Sequence, residues 1–201
     1  IIIDDESYFT FDGSDTANNK HFYCKEGEEV DDKVKFKRHK KFQSKLLVWL
    51  AISSRGHSTA FICPSGNSVN ADIYEKQCIR SRLVRFIREK HSDGNFVFWP
   101  DMATAHYAAN VIAAYNELNI PFIPKDKNVP NVPQLRPIER FWRNLKRNVY
   151  ENGWEASTHA ELKKRILLKI RQTKISAFTN LMRRVKTKIR KASRYGADCV
   201  L

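Results

Sequence analysis

Acidic residues of this chain fall in three places that a folded domain could bring together. They are the run Asp4-Asp5-Glu6 in an apolar opening stretch, Asp101 after Phe96-Val97-Phe98-Trp99-Pro100, and Glu139 behind a proline-rich segment. Carboxylates are hard oxygen ligands suited to Mg²⁺ or Mn²⁺, and two such ions held close together activate a water and stabilise the leaving oxygen in phosphodiester cleavage. Asp101 comes at the carboxyl end of a predicted strand, the edge where open α/β sheets place their ligand sites. Strand alternation sends Asp4 and Glu6 to one face and Asp5 to the other, so both aspartates stay open as the first ligand. Composition alone does not specify such a triad, because acids near strand ends are common on protein surfaces.

The elements that must position these acids can be read from the apolar pattern. Ile1 to Phe11 reads as a buried strand passing into an alternating one before the turn at Asp12-Gly13, and Leu46 to Ser53 and Thr59 to Cys63 read as two more strands. Asn70 to His91 has a helical rhythm at Ile73, Cys78, Ile79, Leu83, Phe86 and Ile87, with Asn70 or Asp72 as its cap. A strand at Asn95 to Trp99, a helix from about Thr104 to Leu118 and a strand at Ile120 to Ile123 then imply a parallel crossover. Prolines 121, 124, 130, 133 and 137 dictate an extended loop, ended by a helix that begins at Pro137 and runs to about Tyr150. Two amphipathic helices finish the chain, one striped by Leu162, Ile166 and Ile170, the other by Phe178, Leu181, Met182, Val185 and Ile189. At 201 residues this is one domain over 1–201, with basic C-terminal helices over about 158–194.

The formal net charge is +14, and its distribution is uneven. Residues 1–32 hold ten acids against two bases, a balance of −8, which leaves +22 for residues 33–201. Lys33 to Lys45 has seven bases and no acid, and residues 134–201 have 18 bases against five acids. A polyanionic partner is the simplest reading of that excess. Lys35, Lys37, Arg38, Lys40 and Lys41, with Lys146 and Arg147 beyond Glu139, are candidate contacts to a nucleic-acid backbone, although a solvated face accounts for them nearly as well. Cys24, Cys63, Cys78 and Cys199 are scattered and fit neither a zinc site nor a disulfide framework. The apolar runs are far shorter than a membrane span needs. A soluble intracellular protein is expected and, from the opening on Ile-Ile-Ile without a Met, so is a longer parent chain.

Three motifs in order resemble the mariner superfamily of DNA transposases. They are Ile3-Asp4-Asp5-Glu6-Ser7, then Pro100-Asp101-Met102-Ala103-Thr104-Ala105-His106, then Val132-Pro133-Gln134-Leu135-Arg136-Pro137-Ile138-Glu139-Arg140-Phe141-Trp142. The third is the most specific, and 37 residues separate Asp101 from Glu139, a spacing this superfamily uses. The resemblance covers Ile1 to about Tyr150, and more weakly the basic helices beyond. It favours Asp5, the aspartate directly before glutamate, over Asp4. Two positions depart from the family pattern: Met102 and Arg136 both stand where asparagine is common. Neither removes a metal ligand; both change residues able to orient one.

The resemblance implies a ribonuclease H-like α/β fold, a mixed five-stranded sheet with its first three strands antiparallel and helices on both sides. It implies catalytic and metal-binding roles for Asp5, Asp101 and Glu139, two Mg²⁺ or Mn²⁺ ions, and hydrolysis at the ends of a transposon followed by attack of the freed 3′-hydroxyl on target DNA. His106, five residues after Asp101, would contact substrate phosphate or hold Asp101, a packing histidine being the plainer alternative. Phe141 and Trp142 are expected to pack the core. The implied partners are double-stranded DNA, both transposon ends and target, and a second copy in the full-length protein. No membrane association is expected, and in a eukaryote the location is the nucleus. The helix-turn-helix units that precede the catalytic domain in the family do not precede Ile1 in this chain. Rival readings are a transposase-derived DNA-binding protein that has lost cutting, and a basic scaffold in which the three acids never meet.

Overall fold

The computed structural model describes residues 1–14, 24–25, 27, 29, 44–64, 66–128 and 135–196. Its centre is a five-stranded sheet. β1 (Ile2–Thr10) and β2 (Lys45–Ser53) pair antiparallel over their whole lengths, from Ile2 opposite Ser53 to Thr10 opposite Lys45. β3 (Gly56–His57) and β4 (Phe61–Cys63) pair with β2; β4 is the strand expected over Thr59 to Cys63, begun two residues later, and β3 is a further short pairing before it. β5 (Phe98–Trp99) lies parallel to β1 on its other side, with Ile2 opposite Phe98 and Ile3 opposite Trp99.

The last expected strand, Ile120 to Ile123, is reduced to one parallel bridge between Phe98 and Phe122. Phe98 N–H donates to the Pro121 carbonyl at 2.7 Å and Ile123 N–H to the Phe98 carbonyl at 3.0 Å. Pro121 and Pro124 bring no N–H to either side of that bridge, so the ladder cannot lengthen. Pro100 ends β5 for the same reason.

Alternation along the strands divides the interior into two cores. Ile3 and Phe9 of β1 and Val48, Leu50 and Ile52 of β2 face one side; Ile2 and Leu47, Trp49 and Ala51 face the other. The second side is covered by α1, which runs through Ala71–Ile73, a π-helical stretch Tyr74–Leu83 and Val84–Lys90, and by α2 (Ala109–Glu117). Asn70 caps α1, its side chain accepting from Ile73 N–H at 2.9 Å. Tyr74 is buried in one stripe with Cys78, Ile79 and Leu83, and Ile73 is half-buried beside them. The helix expected from Thr104 starts as a 3₁₀ turn, Thr104–Tyr107, and breaks at the extended Ala108 before α2.

The first side is covered by α3 (Pro137–Val149), α4 (His159–Gln172), α5 (Ile175–Met182) and α6 (Val185–Tyr195). Pro137 sits in the first turn of α3, where a missing N–H costs nothing. The last expected helix is two, parted by a turn at Arg183-Arg184; Phe178, Met182 and Val185 stay buried across the break. Among the described residues no helix is long and apolar enough to cross a membrane.

Candidate active site

The β1–β5 register sets the site. Ile3 lies opposite Trp99, so two residues further along parallel strands Asp5 and Asp101 come side by side where the sheet opens. Asp4 and Glu6 turn toward α1, and Asp5 turns toward α3.

Asp4 is sealed at 0% exposure. Its Oδ2 accepts from the Trp49 indole N–H at 2.9 Å and from the Tyr74 hydroxyl at 2.6 Å, while Oδ1 has no hydrogen-bond partner. Burial is the main reason its carboxyl rises to about 6, and the charge of His106 works against that rise. Tyr115 extends this buried network, its hydroxyl 3.3 Å from that of Tyr74.

Asp5 has different company. The Trp142 indole N–H donates to its Oδ2 at 3.0 Å, and Glu139 lies one turn before Trp142 on the same face of α3. Burial and then repulsion from Glu139, Glu6 and Asp101 push the Asp5 carboxyl up to about 8, with Arg136 opposing. The three sequence-predicted acids are therefore electrostatic neighbours. Glu139 occupies the first turn of α3, where the positive end of the helix dipole favours a carboxylate.

Asp101 is held by His106. Its Oδ1 lies 2.5 Å from His106 Nδ1 and accepts the Ala103 N–H at 2.8 Å. Burial opposes the Asp101 charge, but His106 and the Ala103 N–H outweigh it and the carboxyl lies below its ordinary value. His106 Nε2 faces Glu6 Oε1 at 3.3 Å, and the ring stacks on Tyr74 with centroids 3.7 Å apart. With its side chain 2% exposed, His106 is placed to hold Asp101 rather than to reach a phosphate. Burial alone would discharge the imidazole, yet hydrogen bonds to Asp101 and Glu6 raise it to about 10.

Glu6, Asp101 and His106 offer ligand atoms within 4.8 Å of one another. His106 lies between the two acids, with Nδ1 2.5 Å from Asp101 and Nε2 3.3 Å from Glu6, and so ties them together. On the other face of β1, Asp5 turns toward α3, which bears Glu139. There the donor set is all oxygen, and burial together with repulsion among the carboxylates raises Asp5, a charge balance that a divalent cation would relieve. The residues present fit Mg²⁺ or Mn²⁺.

Sequence reading missed the residues around the acids. Arg136, seen only as a departure from a motif, donates through Nη2 to the Asp4 carbonyl at 2.5 Å and through Nη1 to the Pro100 and Trp99 carbonyls at 3.2 and 3.5 Å. Asn128, buried, donates to the Pro100 carbonyl at 2.9 Å and accepts the Trp99 indole N–H at 2.6 Å. Tyr74 was hidden one residue beyond Ile73 of the apolar stripe. Trp142 and Phe141 pack the core as expected, Trp142 also bonding Asp5. Lys146 lies over the Phe9 ring at 5.5 Å, and Arg147 is exposed. Lys35, Lys37, Arg38, Lys40 and Lys41 lie outside the described residues.

A mixed α/β sheet with helices on both faces and acids at the open end of its parallel strand pair is the ribonuclease H-like architecture. More narrowly, the fold is that of a mariner-type transposase catalytic domain. The crystal structure of the catalytic domain of Mos1 mariner transposase superposes with a TM-score of 0.70 at 16% identity, over 98% of this chain and 81% of that one. The Mos1 transposase paired-end complex with left transposon end gives 0.80 at 18% identity, over 98% of this chain and 55% of that one. The Mos1 mariner paired end complex with Mn gives 0.78 at 17% identity, over the same shares of the two chains. This chain thus spans about half the length of the transposase chains in those complexes. No family model and no curated protein matches the sequence.

Proposed function

We propose that this chain is the catalytic domain of a mariner-type, metal-dependent DNA transposase. Asp5, Asp101 and Glu139 would hold one or two Mg²⁺ or Mn²⁺ ions. Bound there, the ions supply Lewis-acid stabilisation of phosphoryl oxygens and lower the pKa of an attacking water. The residues of the chain position the reaction. His106 fixes Asp101, Trp142 fixes Asp5, and the first turn of α3 presents Glu139 beside them. In the cutting step a P–O bond forms to water and a bridging P–O bond breaks; in the joining step a freed 3′-hydroxyl attacks a target phosphodiester. In-line displacement of this kind depends on positioning and charge stabilisation, and needs no covalent protein intermediate.

The observation that carries the reading is the β1–β5 register, Ile3 opposite Trp99, which brings Asp5 level with Asp101 while the Trp142 N–H ties Asp5 to the helix that bears Glu139. It supports Asp5 over Asp4 as the first ligand, because Asp4 is sealed beneath Trp49 and Tyr74. Neighbouring Mos1 structures hold Mn or Mg and transposon DNA, which supports the same cation and polyanion here. Exposed bases on the outer faces of α4 and α6, including Lys163, Lys164, Lys186, Arg190 and Arg194, would hold DNA backbone without reading sequence. End recognition and pairing of two copies belong to the full-length protein, in the nucleus if the source is eukaryotic.

The test is nicking of supercoiled plasmid by this domain fused to a generic DNA-binding module, with Mn²⁺ and with EDTA. Cation-dependent nicking is expected. DNA binding without nicking in either condition would instead favour a transposase-derived binder that has lost cutting.

A further inference from the structure

Each carbonyl that Arg136 grips most closely belongs to the peptide bond directly before a catalytic aspartate. The Asp4 carbonyl is bonded into the peptide that leads to Asp5, and the Pro100 carbonyl into the one that leads to Asp101. Ladder pairing between β1 and β5 ends at Ile3 opposite Trp99, and Pro100 has no N–H to continue it. The guanidinium fork supplies donors beyond the last pair, to the Asp4 carbonyl and, beside Asn128, to the Pro100 carbonyl. Arg136 also directly precedes α3, three residues before Glu139, and its side chain lies over the Trp99 ring at 5.5 Å. One planar group thus ties together the three segments that present the three acids.

We propose that Arg136 is the positioning residue of the site and its built-in cation, spacing Asp5 from Asp101 through their preceding peptides while offsetting part of the carboxylate charge. This rests on the metal-nuclease reading above. The lowering effect of Arg136 on both the Asp5 and Asp101 carboxyls agrees with the second role. Lysine cannot replace it geometrically, since an ammonium cannot span two carbonyls in a fixed plane as the fork does.

Two variants separate the roles. Arg136→Lys keeps the charge and loses the fork; Arg136→Gln loses the charge. Mn²⁺ affinity, read by titration without DNA, should fall about 10-fold in Arg136→Lys, the scale on which groups that orient ligands act. In thermal unfolding, Arg136→Gln should melt below Arg136→Lys in EDTA, and saturating Mg²⁺ should close that gap by replacing the missing charge. An unchanged Mn²⁺ affinity in Arg136→Lys would overturn the positioning role, and a melting gap equal in EDTA and Mg²⁺ would overturn the charge role. If the unsubstituted protein neither binds Mn²⁺ nor is stabilised by Mg²⁺, the metal-nuclease reading itself falls, and this inference with it.

Discussion

The Trp142 indole N–H donates to Asp5 Oδ2 at 3.0 Å, joining α3 to the first strand across 137 positions of sequence. A residue buried as core packing thereby also orients a carboxylate of the candidate site. Trp142→Phe keeps an aromatic ring and removes the donor. A hydrogen bond to a neutral group contributes about 0.5–1.5 kcal/mol, so a stability loss near that size is expected in the metal-free domain, together with slower Mn²⁺-dependent nicking. Chemical denaturation and a nicking time course measure the two. A loss of stability with full nicking activity would reduce Trp142 to packing.

A second prediction concerns pH. Asp5 is pushed up to about 8, so over the interval from the ordinary carboxyl value of 3.8 to about 8 the folded state keeps a proton that the unfolded chain has released. Its contribution is full below that interval and is lost as pH rises through it. His106, raised to about 10, acts in the same direction above pH 6.5. The metal-free domain should therefore lose stability between pH 6.5 and 8. Asp5→Asn should flatten the slope, and so should saturating Mg²⁺, which favours the ionised acids. Equal slopes in the wild type and Asp5→Asn would mean that Asp5 is already ionised.

His106 links Asp101 to Glu6 from within the core, out of reach of a bound duplex. His106→Asn should slow Mn²⁺-dependent nicking by about 10- to 100-fold, the effect of losing a partner that orients a ligand. DNA affinity should stay unchanged. A filter-binding assay beside the nicking assay separates the two, and weakened binding would put the imidazole at the DNA after all.

Lys186, Arg190 and Arg194 follow a four-residue spacing on the exposed face of α6, while Val185 and Ile189 of the same helix turn inward. If these bases meet phosphates, neutralising them should reduce the slope of log affinity against log salt by about 0.9 for each phosphate left without its base. Binding should weaken alike on every DNA sequence. An unchanged slope would mark α6 as a solvated face.

The broad design could be read from the sequence because it depends on local rules. Alternation at Ile1 to Phe11 and Leu46 to Ser53 found the central hairpin, Asn70 announced α1, and Pro137 marked the start of α3. The motif order singled out Asp5, Asp101 and Glu139, and the β1–β5 register and the Trp142–Asp5 bond support that choice. What stayed hidden depends on tertiary geometry. Tyr74 stands a four-residue step before Cys78, within reach of the helical rhythm, but its bond to Asp4 depends on tertiary placement. Arg136 and Asn128 act on main-chain carbonyls, which leave no side-chain pattern to match. The preference for Asp5 over Asp4, which the motif already gave, is supported by the faces of β1, since Asp4 meets Trp49 and Tyr74 while Asp5 meets Trp142.

The most direct test of the central claim is single-turnover nicking of plasmid DNA in Mn²⁺ by the domain fused to a generic DNA-binding module, compared with its Asp5→Asn, Asp101→Asn and Glu139→Gln variants. Cutting by the unsubstituted protein that each substitution abolishes, with DNA binding retained, is the result predicted here. Cutting that survives any of the three would contradict the assignment of that acid, and cutting that survives all three would contradict the site itself.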